Sequence, residues 1–155
     1  MRAGSRGDGS NSARTRFLDE RRLRVLAALL ALLGIAIAGY LTYVHYAGIS
    51  PVCVAGSGSC ERVQTSEYAV FLGVPVALLG LLAYVTIFLA TIVPHPLGAT
   101  VAAAVALAGW LFSLYLTWLE LFVIEAICQW CVASAVTITL LAATTVLRVV
   151  ASTDA

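Results

Sequence analysis

Four long apolar runs, separated by short polar stretches, set the pattern of this chain. They cover about residues 25–46, 71–93, 97–122 and 127–147, and each is about 20 residues or more. That is enough for a helix to cross a hydrocarbon core of roughly 30 Å. Pro75 suits the first turn of the second run, where its missing N–H costs nothing. Pro94-His95-Pro96 is short and rigid, so the second and third runs are expected to be antiparallel neighbours joined by a tight turn. Between the first two runs lies a Gly- and Ser-rich stretch that reads as a surface loop, with a short amphipathic segment expected at residues 61–66.

Composition sets the solvent. A chain of 155 residues that is 61% hydrophobic and 11% charged, with mean hydropathy +0.98, has more apolar surface than a water-soluble globule of this size can bury. The expected fold class is an all-α membrane protein, a four-transmembrane-helix bundle over residues 21–150. Residues 1–20 are expected to form a disordered cytosolic tail and 151–155 a second short tail. A secretory leader is the alternative for the amino-terminal region, with Ala36-Ile37-Ala38 as its cleavage site. The apolar run continues past that site to about 20 residues, against about 7–15 for a leader core, which favours a span.

The charges give a sidedness. All nine basic residues are Arg, and seven of them precede residue 25. With both termini cytosolic, four spans place eight of the nine Arg inside and only Arg62 outside, as the positive-inside rule requires. The expected localisation is therefore a multi-pass protein of the cell membrane with Cys53, Cys60, Cys128 and Cys131 at its outer face. No basic patch is interleaved with aromatics beyond the tail, so nucleic acid is not an expected partner; membrane lipid is. His45 and His95 read as interfacial residues. Glu120 and Glu125, at the outer end of the third run, read as solvated at the membrane surface.

The chemistry lies in the cysteines. Cys128-Gln-Trp-Cys131 heads the last apolar run, where the free N–H groups and positive dipole end of a helix favour a thiolate. Two sulfurs at this spacing can open and close a disulfide. Cys53 and Cys60 sit in the flexible outer loop, where a structural staple is the plainer reading. A four-thiolate zinc site is a further alternative, but Cys53 and Cys60 lack the short spacing of paired zinc ligands, so no metal is expected. Taken together, the two pairs make a thiol relay: a loop pair able to meet a protein thiol in water, and a second pair beside lipid. No flavin, haem or iron–sulfur motif is present in the sequence, and a membrane quinone of menaquinone or ubiquinone type is the economical acceptor. A structural membrane protein with two stabilising disulfides is the alternative.

The same residues carry a family resemblance. Gly34 through Tyr40-Leu41, the Cys53 and Cys60 loop, Ser66, Gly73-Val74-Pro75, Gly80 with Tyr84, Ser113-Leu-Tyr115-Leu116-Thr-Trp118 and Cys128-Gln-Trp-Cys131-Val-Ala-Ser134-Ala135 resemble the vitamin K epoxide reductase family from about residue 29 to 147. The likeness is in particular to bacterial members without a fused thioredoxin domain, which reoxidise a secreted or periplasmic thioredoxin-fold protein of the DsbA-like kind.

The resemblance implies an enzyme, a quinone-dependent thiol-disulfide oxidoreductase that supports disulfide formation. It implies that Cys131 faces the quinone and that Cys128 is its partner, exposed enough to be attacked. Cys60 would form the transient bridge to Cys128, and Cys53 would be the most open to the partner's thiols. Ser66 would sit near the exchange and cap the helical segment that begins at Glu67. Animal members hold the oxygens of their substrate with an Asn and a Tyr. By spacing, those places are taken here by apolar Val76 and Ala135, which leaves plain quinone reduction. Val76, Ala135 and Trp130 are the expected quinone contacts, in a pocket capped by the loop and a short half-helix. The chain stops within ten residues of its last run, so the partner is expected to act in trans.

Overall fold

The computed structural model describes residues 8–54 and 59–153. Five helices, α1 (Asp8–Ala47), α2 (Ser59–Gln64), α3 (Val76–Ile92), α4 (Pro96–Phe122) and α5 (Gln129–Thr153), are interrupted by one small hairpin of β1 (Val70–Phe71) and β2 (Val74–Pro75). The four long helices pack as a ring in which α1 touches α3 and α5, and α4 touches the same two. The protein is an all-α, multi-pass membrane protein. The segments Asp19–Ala47, Leu97–Phe122 and Gln129–Thr153 are each long and apolar enough to cross a bilayer.

Three boundaries differ from expectation. Helix α1 begins at Asp8, so residues 8–20 are helical where a disordered tail was expected; residues 1–7 lie outside the described residues. Once an apolar helix has formed, each further residue adds a hydrogen bond without a new nucleation cost, so the helix can run on into polar sequence. Likewise α5 continues through Thr153 into the expected tail, of which residues 154–155 lie outside the described residues.

The second run was expected to span from residue 71, but its helix has only 17 residues, roughly 26 Å of rise. Its first residues form the hairpin instead, with Leu72 and Gly73 both at positive φ, the geometry of a two-residue turn. Pro75 accordingly closes β2 and stands at the N-cap of α3, one position before the expected first turn.

The core is built from small residues. Ala27, Ala31, Ala38, Ala102, Ala106 and Ala142 are buried with Tyr84, Ile87, Ile138 and Leu141, while Leu29, Leu33, Leu111, Val136 and Leu140 are exposed on the outer surface. This is the inversion expected in lipid, where small side chains bring helices together and large apolar ones face the solvent. At Gly34 the Tyr84 ring lies so close that any Cβ would overlap it.

Hydrogen bonds close the end of the bundle that carries the α3–α4 turn. The Arg24 Nε donates to the Thr91 carbonyl at 2.9 Å and its Nη2 to the Ile92 carbonyl, satisfying the C-terminus of α3 from α1. His95, expected to be a bystander, caps α4 by accepting from the Leu97 N–H on Nδ1 at 3.2 Å. A Cβ on Gly98 would press on the Ala90 carbonyl, so this tight turn needs glycine there.

Replacing Gly34 by Ala should displace Tyr84 and destabilise the bundle by about 1–3 kcal/mol. Gly39→Ala should be nearly neutral, because a Cβ there meets only the Leu81 side chain at 4.0 Å. Thermal unfolding of the two variants in one detergent checks the contrast.

Candidate functional site

One end of the bundle gathers all four cysteines. Cys53 and Cys60 form a disulfide with their Cα atoms 6.6 Å apart, and Cys128 and Cys131 are free thiols. Cys60, Val63, Ala126 and Cys128 make one buried cluster, against which Cys53, Ile124, Trp130 and Cys131 pack. The half-helix expected at residues 61–66 is α2, which starts two residues earlier and brings Cys60 and Val63 down onto Cys128.

As a result Cys128 has no exposed surface, where an accessible thiol was expected. It can be reached from the side of Cys60 and not from open water. Residues 55–58 lie outside the described residues.

The two residues between the cysteines of the last pair hold the loop. The Trp130 Nε1 donates to the Val52 carbonyl at 2.9 Å, and the Gln129 Oε1 accepts from the Val54 N–H at 3.0 Å. The Tyr40 hydroxyl accepts from the Val52 N–H at 3.0 Å, and its ring lies 4.8 Å from that of Trp130. Cys53 is thus gripped on both sides by the start of α5 and by α1. Trp130 was expected at the quinone pocket; its indole is directed to the loop instead.

Beneath this cluster lies an apolar cavity of about 370 Å³. Leu41 and His45 of α1, Val76, Leu79 and Tyr84 of α3, Phe112, Leu116 and Glu120 of α4, and Cys131, Ser134 and Ile138 of α5 line it, with Ser66 and Tyr68 at its roof. Cys131 faces the cavity and Cys128 does not. Val76 is a lining residue as expected, but Ala135 is not: one residue past Ser134, it is turned about 100° around the helix from the cavity-facing stripe. Ser66 stands at the N-cap of the 3₁₀ turn Glu67–Ala69 but makes no side-chain cap; its Oγ donates back to the Val63 carbonyl at 2.7 Å. His45, read as merely interfacial, is part of the wall.

Glu120 departs furthest from expectation. It is 6% exposed, lines the cavity, and its Oε2 accepts from the Cys128 N–H at 3.3 Å. Cys131 lines the same cavity and packs against the cluster that contains Cys128. A single acidic residue near the end of an otherwise uncharged apolar run was the available signal, since ionisable groups at such positions are costly and turn inward.

Cys128 itself stands one residue before the membrane-spanning segment Gln129–Thr153. The hydrogen bond from the Cys131 thiol, helped by the N–H groups of Cys131 and Trp130, outweighs burial and holds the Cys128 thiol down to about 7.

Two cysteine pairs on an apolar helical bundle, one pair closed and the other open toward an internal cavity, define a membrane protein with a thiol redox centre. The chain belongs to the vitamin K epoxide reductase family, which matches residues 25–146. It is also 42% identical over 45 residues to the thiol-disulfide oxidoreductase LTO1 of Arabidopsis thaliana, a stretch covering 29% of this chain and 12% of that relative.

Two outcomes follow from this geometry. Trp130→Phe keeps the ring but removes its bond to Val52, so amide hydrogen exchange in residues 52–54 should accelerate, reflecting a loss of about 0.5–1.5 kcal/mol. In the reduced protein Cys128 should ionise near neutral pH. Because its acid form is destabilised, thiolate ultraviolet absorbance should rise through pH 7 and be lost below it, instead of rising near pH 9; the rise should be absent in Cys128→Ala.

Proposed function

We propose that this protein is a quinone-dependent thiol-disulfide oxidoreductase that supports disulfide formation outside the cytosol. The observation that carries the reading is the two-sided placement of one dithiol. Cys131 opens on the apolar cavity, while Cys128, three residues earlier, is packed with Cys60 of the loop disulfide. Electrons would pass from a reduced secreted or periplasmic thioredoxin-fold protein of the DsbA-like kind to Cys53 and Cys60, then to Cys128 and Cys131, and on to the quinone.

The chain's residues suit each step. Cys53 is the more open of the loop pair, its neighbours Val52 and Val54 are tied down, and Cys60 is buried beside Cys128. Attack between the pairs proceeds through a mixed disulfide of Cys60 with Cys128, and a Cys128 thiolate near neutral pH is suited to both forming and resolving it. Ser66, bonded to the end of α2, holds the half-helix in place for that exchange.

The cavity fits a quinone ring. Its volume is within the range of about 300–1,000 Å³ usual for small-molecule sites, and its walls are apolar with a few polar groups. Val76, Phe112, Leu116 and Ile138 would enclose the ring, and Tyr84, Ser134 and Glu120 are the polar groups available to its oxygens. A bound quinone of menaquinone or ubiquinone type would serve as terminal acceptor of two electrons and two protons.

Sidedness rests on the Arg distribution, with both termini cytosolic and the cysteines outside. The potentials agree in sense. A DsbA-like partner near about −120 mV needs an acceptor of comparable or higher potential, and each 30 mV of deficit costs about 1.4 kcal/mol.

Anaerobic stopped-flow reduction of quinone by the purified protein, started with a reduced thioredoxin-fold partner, tests the whole relay. Cys128→Ala and Cys131→Ala should each abolish quinone reduction, and Cys131→Ala should accumulate a Cys60–Cys128 disulfide in non-reducing peptide maps. Failure of the unaltered protein to reduce quinone, with Cys131→Ala only lowering stability, would mean a structural scaffold instead.

A further inference from the structure

A carboxylate belongs at the surface unless something inside needs it. Glu120 is 6% exposed in the last turns of α4, and three features place it at the reacting atoms. Its Oε2 is fixed by the Cys128 N–H at 3.3 Å. Cys131 packs against the buried cluster that holds Cys128, whose amide the carboxyl accepts. Its side chain also forms part of the cavity wall, as does Cys131. No Arg or Lys is paired with it among the described residues that line the cavity, so its role as the counter-charge of a cation has no support.

We propose that Glu120 is the proton-transfer residue of the Cys128–Cys131 pair, taking the Cys131 proton as the disulfide closes and delivering it to an oxygen of the quinone. The proposal rests on the quinone-reducing reading above and assigns it a residue outside the cysteines.

The balance is complete. The Cys131 S–H bond breaks, an S–S bond forms between Cys128 and Cys131, and two electrons leave the pair for the quinone. Glu120 carries the Cys131 proton to one quinone oxygen. The Cys128 proton, released to water when its thiolate forms, is matched by a proton taken up from water at the other oxygen.

The acceptor-binding wall and the dithiol face the carboxyl from different elements: Tyr84 from α3, His45 from α1 and Cys131 from α5 are the other titratable groups around the cavity, with Tyr68 at its roof. Of these Cys131 is the group whose proton must leave when the disulfide closes. Thiol and carboxyl open on the same cavity, from α5 and α4.

The test uses the full chain in detergent, reduced with dithiothreitol and mixed anaerobically with a short-chain quinone. Glu120→Gln retains an oxygen to accept from the Cys128 N–H, so the local fold is preserved, and quinone reduction should fall by about 100-fold. Glu120→Ala should be similarly slow and should be partly restored by added acetate but not by chloride at equal ionic strength.

A second measurement needs no quinone. Closing the disulfide removes a thiol proton from beside the Glu120 carboxyl, so the reduced-minus-oxidised infrared spectrum should contain a carboxylate band that disappears in Glu120→Gln. Quinone reduction within twofold of the unaltered protein in Glu120→Gln, failure of acetate to restore Glu120→Ala, or absence of that infrared band would overturn the role of Glu120 alone. An unaltered protein that reduces no quinone would overturn the function beneath it and this role together.

Discussion

Tyr84 is the contact on which the rest of the bundle depends. Its ring rests on the bare backbone of Gly34 in α1, and its hydroxyl donates to the Ser134 carbonyl of α5 at 3.0 Å. One residue of the shortest long helix therefore sets the distance to its neighbour α1 and to α5 across the ring. Because helices in lipid gain little from hiding apolar surface, such close packing and internal hydrogen bonding carry the association. The same side chain walls the cavity, so the spacing that holds the bundle together also sizes the chamber in front of Cys131.

The cysteine end obeys a second constraint, since polar backbone at membrane depth must be satisfied inside the protein. The chain leaves α4 at Phe122 and re-enters helix at Gln129, and the carbonyl and carboxyl groups of Glu120 take up the amides of Ala126 and Cys128 on the way. Glu125 turns the chain at positive φ. The acidic residue that closes this loop is thereby placed against the thiols, so local chain geometry and redox chemistry share one side chain.

Much of this was legible in the sequence, for physical reasons. Long apolar runs gave the helices, because in a bilayer length and hydrophobicity leave few alternatives. The four cysteines announced the site because few other residues in such a chain can carry electrons. What the sequence hid was direction. Trp130 looks equally suited to a pocket or an interface, and only its bond to the Val52 carbonyl shows that it faces the loop. Ala135 was placed by spacing, yet one residue of rotation removes it from the wall and leaves Ser134 there. Glu120 was hidden by its position near the end of an apolar run, where solvation is the ordinary outcome. The hairpin at residues 70–75 was hidden because Val, Phe and Leu suit a strand as well as a helix.

Between Cys128 and Cys131 the chain has two residues, and both are occupied: Gln129 holds the Val54 amide and Trp130 the Val52 carbonyl. In a free-standing dithiol motif such an intervening dipeptide can vary to suit the chemistry of its sulfurs. Here any exchange of those side chains also slackens the tether on the neighbouring strand of loop. Thiol reactivity and the docking of the second pair are thus inherited as one trait, and this protein has little freedom to adjust either by itself.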